Sequence, residues 1–118
     1  MVEAAGAAFA RLGWRGGLAA VDVVRLSLDA QARDWAGWRI HLRRARRLLG
    51  STGLRDPDLV LGLERAARVA LSAEQPEHAR DAFRAASELW TQFGDAVRAQ
   101  HCLQWAENAG DASAPATR

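Results

Sequence analysis

Residues 76–94 have the sequence PEHARDAFRAASELWTQFG, and this stretch decides the fold. Pro76 suits the first turn of a helix, where its missing N–H costs no hydrogen bond. Gly94 suits a left-handed C-cap at the other end of the stretch. Between them, apolar side chains recur at steps of three and four residues, at Ala79, Ala82, Phe83, Ala86, Trp90 and Phe93. This spacing predicts an amphipathic helix over 76–93 with one buried stripe.

Similar helix ends recur along the chain with a period of about forty residues. An apolar helix end followed by glycine occurs at 9–13, 48–53 and 90–94. Asp34, a good N-cap, and Pro76 mark helix starts between these ends. The pattern predicts helices over 2–12, 17–32, 34–49, 56–73, 76–93 and 95–109, and a disordered tail over 110–118. Because the connections are short, neighbouring helices should run antiparallel.

The other predicted helices carry comparable stripes, which favours an all-α domain. Over 34–49 the apolar face holds Trp35, Trp38, Leu42, Ala45, Leu48 and Leu49. Over 56–73 it holds Val60, Leu63, Ala67 and Ala70, and over 95–109 it holds Ala99, Cys102, Leu103 and Ala106. Alanine and arginine, both strong helix formers, dominate the composition, and β-branched residues are sparse.

Two sets of small and aromatic residues carry a family resemblance. Ala79, Phe83 and Ala86 match the small–aromatic–small spacing in the second helix of tetratricopeptide repeats, and a second set matches its first helix, at Leu63, Ala66, Ala67 and Ala70. The chain therefore resembles these repeats, in particular the longer ones, of about forty residues, in bacterial signalling and transcription-regulator arrays. The resemblance spans about residues 9–109 of a single domain over 1–109.

The resemblance implies antiparallel helix-turn-helix repeats that stack as a short right-handed superhelix, a tetratricopeptide-like α-solenoid. The chain departs from the family pattern at two positions. Trp38 stands in the slot where Ala79 is small, and Ala67 replaces the usual glycine. A compact up-and-down helical bundle is the structural alternative.

Length, charge and cysteine content exclude several classes of protein. The 118 residues fit one small domain, and no apolar run approaches the length of a membrane-spanning helix. Glu3 stands where a signal peptide would carry positive charge, and Cys102, the single cysteine, excludes an internal disulfide framework. We therefore expect a cytoplasmic protein. All 16 basic residues are arginine, yet the formal net charge is only +2.

Four arginines form the clearest charge feature, which we call the arginine strip: Arg39, Arg43, Arg46 and Arg47. They lie on one side of the predicted helix, opposite its apolar face, with no acidic partner three or four positions away. The strip suits binding of an anion, such as a phosphate backbone or an acidic peptide. The alternatives are a solvated face or pairing with acids on adjacent helices, such as Asp56, Asp58 or Glu64.

The resemblance also implies a ligand-binding surface on the first helix of each pair. That surface would draw on Arg25, Arg65, Arg68, Gln100 and Gln104. Arg68 stands where the family's carboxylate clamp has an asparagine, so we do not expect that clamp. We expect a scaffold that binds a peptide or partner helix in this groove, with nucleic acid the less favoured partner.

The two ends of the predicted array lack a polar outer face. We expect Trp35, Trp38 and Trp90 in the core and Trp14 and Trp105 at the surface. This pattern favours a homo-oligomer formed through the N-terminal segment around Phe9 and through Trp105. A longer repeat array and a frayed N-terminus with exposed alanines are the alternatives.

No constellation of residues predicts catalysis, a metal or a cofactor. His101 and Cys102 are adjacent, so a helix points them about 100° apart. His41 and His78 have no partner at metal-ligand spacing, and a phosphate-binding loop would need a lysine, which the chain lacks. We expect these histidines and Cys102 to serve packing or to face solvent.

Overall fold

A computed structural model describes residues 15–51 and 56–112, which form five helices. These are α1 (Arg15–Ala32), α2 (Trp35–Ser51), α3 (Pro57–Ser72), α4 (Pro76–Phe93) and α5 (Ala96–Ala112). No strand occurs in these two ranges, so the all-α prediction is confirmed. The predicted helix over 2–12, and with it Phe9, Gly13, Trp14 and Gly53, lies outside the described residues.

Helix bounds agree with the sequence prediction to within a few residues, with one extension. Helix α5 continues to Ala112, into the segment predicted to be a tail, and residues 113–118 lie outside the described ranges. No helix among those described combines the length and apolar character needed to cross a membrane.

Aspartate side chains cap three of the helix N-termini. Asp34 Oδ1 accepts the Gly37 N–H at 3.0 Å before α2. Asp56 Oδ1 accepts the Asp58 N–H at 3.1 Å before α3. Before α5, Asp95 Oδ1 accepts the Arg98 N–H at 3.0 Å. Each bond satisfies a backbone donor that the helix itself leaves free, which typically stabilises a helix by about 1 kcal/mol.

The turns that close α1, α3 and α4 share one backbone geometry. A left-handed residue follows each helix: Arg33 (φ 57°) directly after α1, Gly94 (φ 84°) directly after α4, and Glu74 (φ 62°) two positions after the end of α3. The next residue then donates its N–H to a carbonyl five positions back, at 2.8 Å from Asp34, 3.0 Å from Gln75 and 2.9 Å from Asp95. The cap at Gly94 follows the sequence prediction, whereas Arg33 and Glu74 adopt it without being glycine.

Helix α1 packs on α2, α3 on α4 and α4 on α5, whereas α2 and α3 hardly touch; α1 also packs along α3, and α2 touches α4. Small residues line these contacts. A Cβ added to Gly62 of α3 would lie 2.7 Å from Val23 Cγ1 of α1, so the absent side chain lets the two helices approach. Large side chains fill the core between the helices, among them Leu26, Trp38, Leu49, Leu63, Phe83 and Leu89.

Most of the predicted apolar stripes are buried, and Leu103 is the exception. Its side chain is 40% exposed. The buried line of α5 runs through Ala99, Cys102, Ala106 and Ala109 at alternating steps of three and four residues. Leu103 follows Cys102 directly, so its side chain points about 100° away from that line. The prediction that Leu103 belongs to the buried face was therefore wrong.

Candidate functional site

A shallow groove runs between α3 and α5, which we call the α3–α5 groove. Helix α4 returns the chain antiparallel, so α3 and α5 point the same way and matched positions meet. The groove holds Leu61, Glu64 and Arg68 on α3 and, each 37 positions later in the sequence, Arg98, His101 and Trp105 on α5. Leu61, Glu64, Arg98 and His101 line a cavity of about 240 Å³. Leu61 and Trp105 therefore supply apolar surface to the groove, and Glu64, Arg68 and Arg98 supply charge.

Glu64 is the central polar group of this groove. Its Oε2 accepts the indole N–H of Trp90 at 2.7 Å, and its Oε1 lies 3.6 Å from Arg68 Nη2. The Glu64 side chain is only 12% exposed. A buried tryptophan needs a hydrogen-bond acceptor for its N–H, and a buried carboxylate needs a donor, so the two side chains satisfy each other across α3 and α4.

The Cys102 thiol lies against Glu64 and is almost fully buried. Burial, and after it the charge and hydrogen bonding of the Glu64 carboxylate, together raise the pKa of Cys102 to about 12. Only a thiolate acts as a nucleophile or metal ligand, so Cys102 is poorly suited to either role near neutral pH. Its surroundings are those of a packing residue.

Two arginines frame the aromatic rings of the groove. Arg98 places its guanidinium 4.8 Å from the centre of the Trp90 ring, and Arg68 places its own 5.8 Å from the Trp105 ring. Trp105 stacks on the buried Phe83 at 5.5 Å between ring centres, yet 41% of it remains exposed. The guanidinium faces and the open indole supply the broad, rigid contact area typical of protein-binding surfaces.

The residues predicted to line one groove lie in several places. Arg68 lies in the α3–α5 groove, and Arg65 is exposed on the same helix. Gln100 instead lines a separate cavity of about 280 Å³ beside Gly94. Arg25 lies on α1, away from this groove. Gln104 is exposed on α5.

The arginine strip is exposed, and one of its members is paired. Arg46 forms an ion pair with Glu88 across α2 and α4. Within the described residues, Arg39, Arg43 and Arg47 have no ion-pair partner. The partner is a residue that sequence spacing does not indicate, because Glu88 lies 42 positions along the chain.

A third cavity, of about 410 Å³, opens between α1 and α2, and we call it the α1–α2 cavity. Leu18, Val21 and Leu48 supply apolar surface, and Arg25, Arg44 and Arg47 supply positive charge. Asp22, only 1% exposed, also lines it. Its Oδ2 lies 3.6 Å from Arg44 Nε, and receives no hydrogen bond from the described part of the chain.

Histidines contribute to packing at two points. His78 stacks on Trp35 with ring centres 4.8 Å apart and planes 4° from parallel. Burial lowers the pKa of His78, and the Arg39 charge lowers it further. The His41 Nδ1–H donates to Asp29 Oδ2 at 2.5 Å, linking α2 to α1. Over the described ranges, no cluster of histidine, cysteine and acidic side chains is arranged to hold a metal ion.

Comparisons with protein-family models, with curated proteins and with solved structures found no match. The two surfaces above therefore carry the functional argument. The sequence predicts Glu64 on the groove surface but not its bond to Trp90, and sequence analysis missed Asp22 as a buried acid. The position of Asp22 was a usable signal, since it falls in the line of Ala19, Leu26 and Ala30 that α1 buries.

Proposed function

We propose that this chain is a non-catalytic interaction module that binds a peptide or partner helix through the α3–α5 groove. The observation that carries the proposal is that two apolar side chains, Leu61 and Trp105, and two guanidinium groups, Arg68 and Arg98, lie along one groove around Glu64. Such a surface is long, shallow and mixed in polarity. An extended or helical peptide matches these properties better than a small substrate, which requires a deeper pocket.

We also propose that the helices form a short tetratricopeptide-like superhelix. Two features support this arrangement. One first helix packs on the next, α1 along α3, and one second helix touches the next, α2 against α4. The smallest extent of the Cα trace is 16 Å, which matches two layers of helices whose axes are 8–10 Å apart. A stack of helix pairs has two layers, and the first-helix layer would form the peptide-binding side.

Selection from a random peptide library on the immobilised full chain tests the binding proposal. We expect selected peptides to lose about tenfold or more in affinity when Trp105 is changed to alanine or Arg68 to glutamine. Acidic residues should be enriched among them, because Arg68 and Arg98 present guanidinium groups to the ligand.

The matched control is Arg84→Gln, which removes the same charge from an exposed position on α4. The control should leave peptide affinity unchanged. Failure to select any peptide, or equal losses in the control and groove variants, would contradict the proposal. Circular dichroism of every variant checks that the helices are retained.

Self-association through Trp105 and the segment around Phe9 is part of the same proposal. The exposure of Trp105 and of Val97, at 41% and 67%, supports an apolar contact surface on α5. Phe9 lies outside the described residues, so only the α5 half of this proposal has structural support. The single cysteine remains the argument for a cytoplasmic location.

The arginine strip supports a second candidate function, binding of a phosphate backbone. Arg39, Arg43 and Arg47 are exposed and have no ion-pair partner in the described ranges. Fluorescence anisotropy with a labelled single-stranded RNA, in a series of salt concentrations, tests it. Phosphate binding should weaken steeply with salt, and R43Q combined with R47Q should reduce the log–log slope by about 1.4. A salt-independent affinity contradicts this function.

A further inference from the structure

The α1–α2 cavity combines three chemical features in one space, and the buried Asp22 Oδ2, unlike Glu64 Oε2 in the α3–α5 groove, receives no hydrogen bond from the described part of the chain. The cavity has an apolar wall, a set of guanidinium groups and a buried carboxylate, all facing one space of about 410 Å³. That volume lies within the range of small-molecule sites. We propose that this cavity binds a free α-amino acid with an apolar side chain.

The guanidinium groups match the carboxylate of such a ligand. Arg25 comes from α1, and Arg44 and Arg47 come from successive turns of α2. Arg44 is 53% exposed, so its side chain has room to turn toward a ligand. Arginine is suited to carboxylates because its planar fork donates two parallel hydrogen bonds.

Asp22 matches the ammonium group. Its carboxylate is 2% exposed, and the nearest positive atom, Arg44 Nε, lies 3.6 Å from Oδ2, beyond hydrogen-bond distance. A buried carboxylate oxygen without a donor carries a substantial free-energy cost, which an ammonium ligand would relieve with an N–H bond. Its position in α1 does not explain why residue 22 is an aspartate, because a leucine or alanine would suit the buried line of α1 equally well.

Binding then exchanges one ion pair for two. Arg44 turns from Asp22 to the carboxylate of the ligand, and the ammonium group of the ligand takes the place of Arg44 at Asp22. A zwitterion adds no net charge, so the exchange leaves no buried charge unpaired. A simple anion would bind the arginines but leave the Asp22 oxygen without a donor.

The apolar wall determines the side chain that the cavity prefers. Leu18 and Val21 are 37% and 48% exposed, and Leu48 is partly buried beside them. A branched aliphatic side chain would cover this surface and remove it from water. Glycine would make the same polar contacts without that gain, so leucine should bind more tightly than glycine.

Isothermal titration calorimetry of the full chain with L-leucine tests the proposal. Three analogues each lack one matched group: L-leucinamide has no carboxylate, 4-methylpentanoate has no ammonium, and glycine has no apolar side chain. We expect leucine to bind. L-leucinamide and 4-methylpentanoate, which each lack one of its two charged groups, should bind about tenfold or more weakly. Absence of heat with millimolar leucine, or equal affinity for leucine and 4-methylpentanoate, overturns the proposal.

Variants of the cavity residues test whether leucine binds in the α1–α2 cavity. R47Q should weaken leucine binding about tenfold or more, whereas R39Q removes an exposed arginine of α2 outside the cavity and should have no effect. D22N should abolish the preference for leucine over 4-methylpentanoate. If D22N does not fold, R25Q replaces it as the second cavity variant, with weakened leucine binding expected. Equal losses in R39Q and R47Q would place the binding elsewhere and overturn the assignment.

Discussion

The pairing of Glu64 with Trp90 shows how one residue organises a surface. The carboxylate accepts the indole N–H, lies beside Arg68 and raises the pKa of Cys102. A single acid thus joins α3, α4 and α5. Removing it would leave the buried indole N–H without an acceptor, which typically costs about 1–3 kcal/mol.

The thiol of Cys102 should be protected from alkylation in the folded chain. Because its pKa is raised to about 12, almost none of it is thiolate at pH 8. Labelling with N-ethylmaleimide at pH 8 should be more than about a hundredfold slower in buffer than in concentrated urea. Equal rates in the two conditions would show that the thiol is neither buried nor held neutral.

The stability of the fold should fall in mild acid because of His78. Its pKa is lowered in the folded state by burial and by Arg39, so the unfolded chain binds more protons between pH 6.5 and that lowered value. Stability therefore rises with pH across this window, and the loss is complete below it.

Urea titrations followed by tryptophan fluorescence between pH 5 and pH 7 measure this dependence. The variant His78→Phe keeps a ring against Trp35 but does not titrate, so its unfolding free energy should change less over the same range. A wild-type pH dependence identical to that of the variant would contradict the assignment to His78.

At the scale of elements, the turns after α1, α3 and α4 repeat one geometry with different residues. Glycine tolerates the left-handed conformation at Gly94, whereas Arg33 and Glu74 pay for it in steric strain. A side chain in this region costs about 1–2 kcal/mol. A substitution that removes this backbone strain should therefore stabilise the fold.

Replacing Glu74 with glycine should raise the free energy of unfolding by about 0.5–1 kcal/mol, since relief of strain exceeds the extra freedom of the unfolded chain. Chemical denaturation measures the change. The matched control, Glu77→Gly in the first turn of α4, should instead destabilise the chain, because glycine is a poor helix former. Destabilisation by E74G would show that the Glu74 side chain has a role beyond the turn.

The close approach of α1 and α3 depends on Gly62. An added Cβ would lie 2.7 Å from Val23 Cγ1, so Gly62→Ala should destabilise the fold by about 1–2 kcal/mol despite the better helix propensity of alanine. Combining it with Val23→Ala should remove the clash, so the double variant should be less destabilised than the sum of the two single variants. Gly50→Ala serves as the control and should be neutral or stabilising, because an added Cβ would meet nothing closer than Gln92 Nε2 at 3.9 Å.

Sequence periodicity was sufficient to predict the helices but not the site. The three- and four-residue spacing of apolar residues depends only on local geometry, and it located α2 to α5 to within a few residues. The pairs Glu64–Trp90 and Arg46–Glu88 form between helices. These pairs depend on how far each helix is rotated and shifted against its neighbour. Small residues such as Gly62 influence that rotation and shift, and the periodicity of apolar residues does not specify them.

At the scale of the whole molecule, the exposed apolar residues of α5 predict concentration-dependent association. Light scattering after size exclusion should show the mean mass rising with concentration for the wild type. Trp105→Ala should shift that rise to higher concentration, whereas Ile40→Ala, an exposed apolar residue of α2, should not. A constant monomeric mass over the series would contradict self-association.

The helices of this chain pack chiefly on a helix that is adjacent in sequence, and this arrangement affects the folding rate. Few contacts require distant segments to meet first, so the entropic barrier to folding is low and refolding should finish within microseconds to milliseconds. Any one hairpin can serve as the nucleus. Because the α1–α2 hairpin can nucleate folding without α5, a destabilising substitution in α5 should accelerate unfolding and leave the refolding rate almost unchanged.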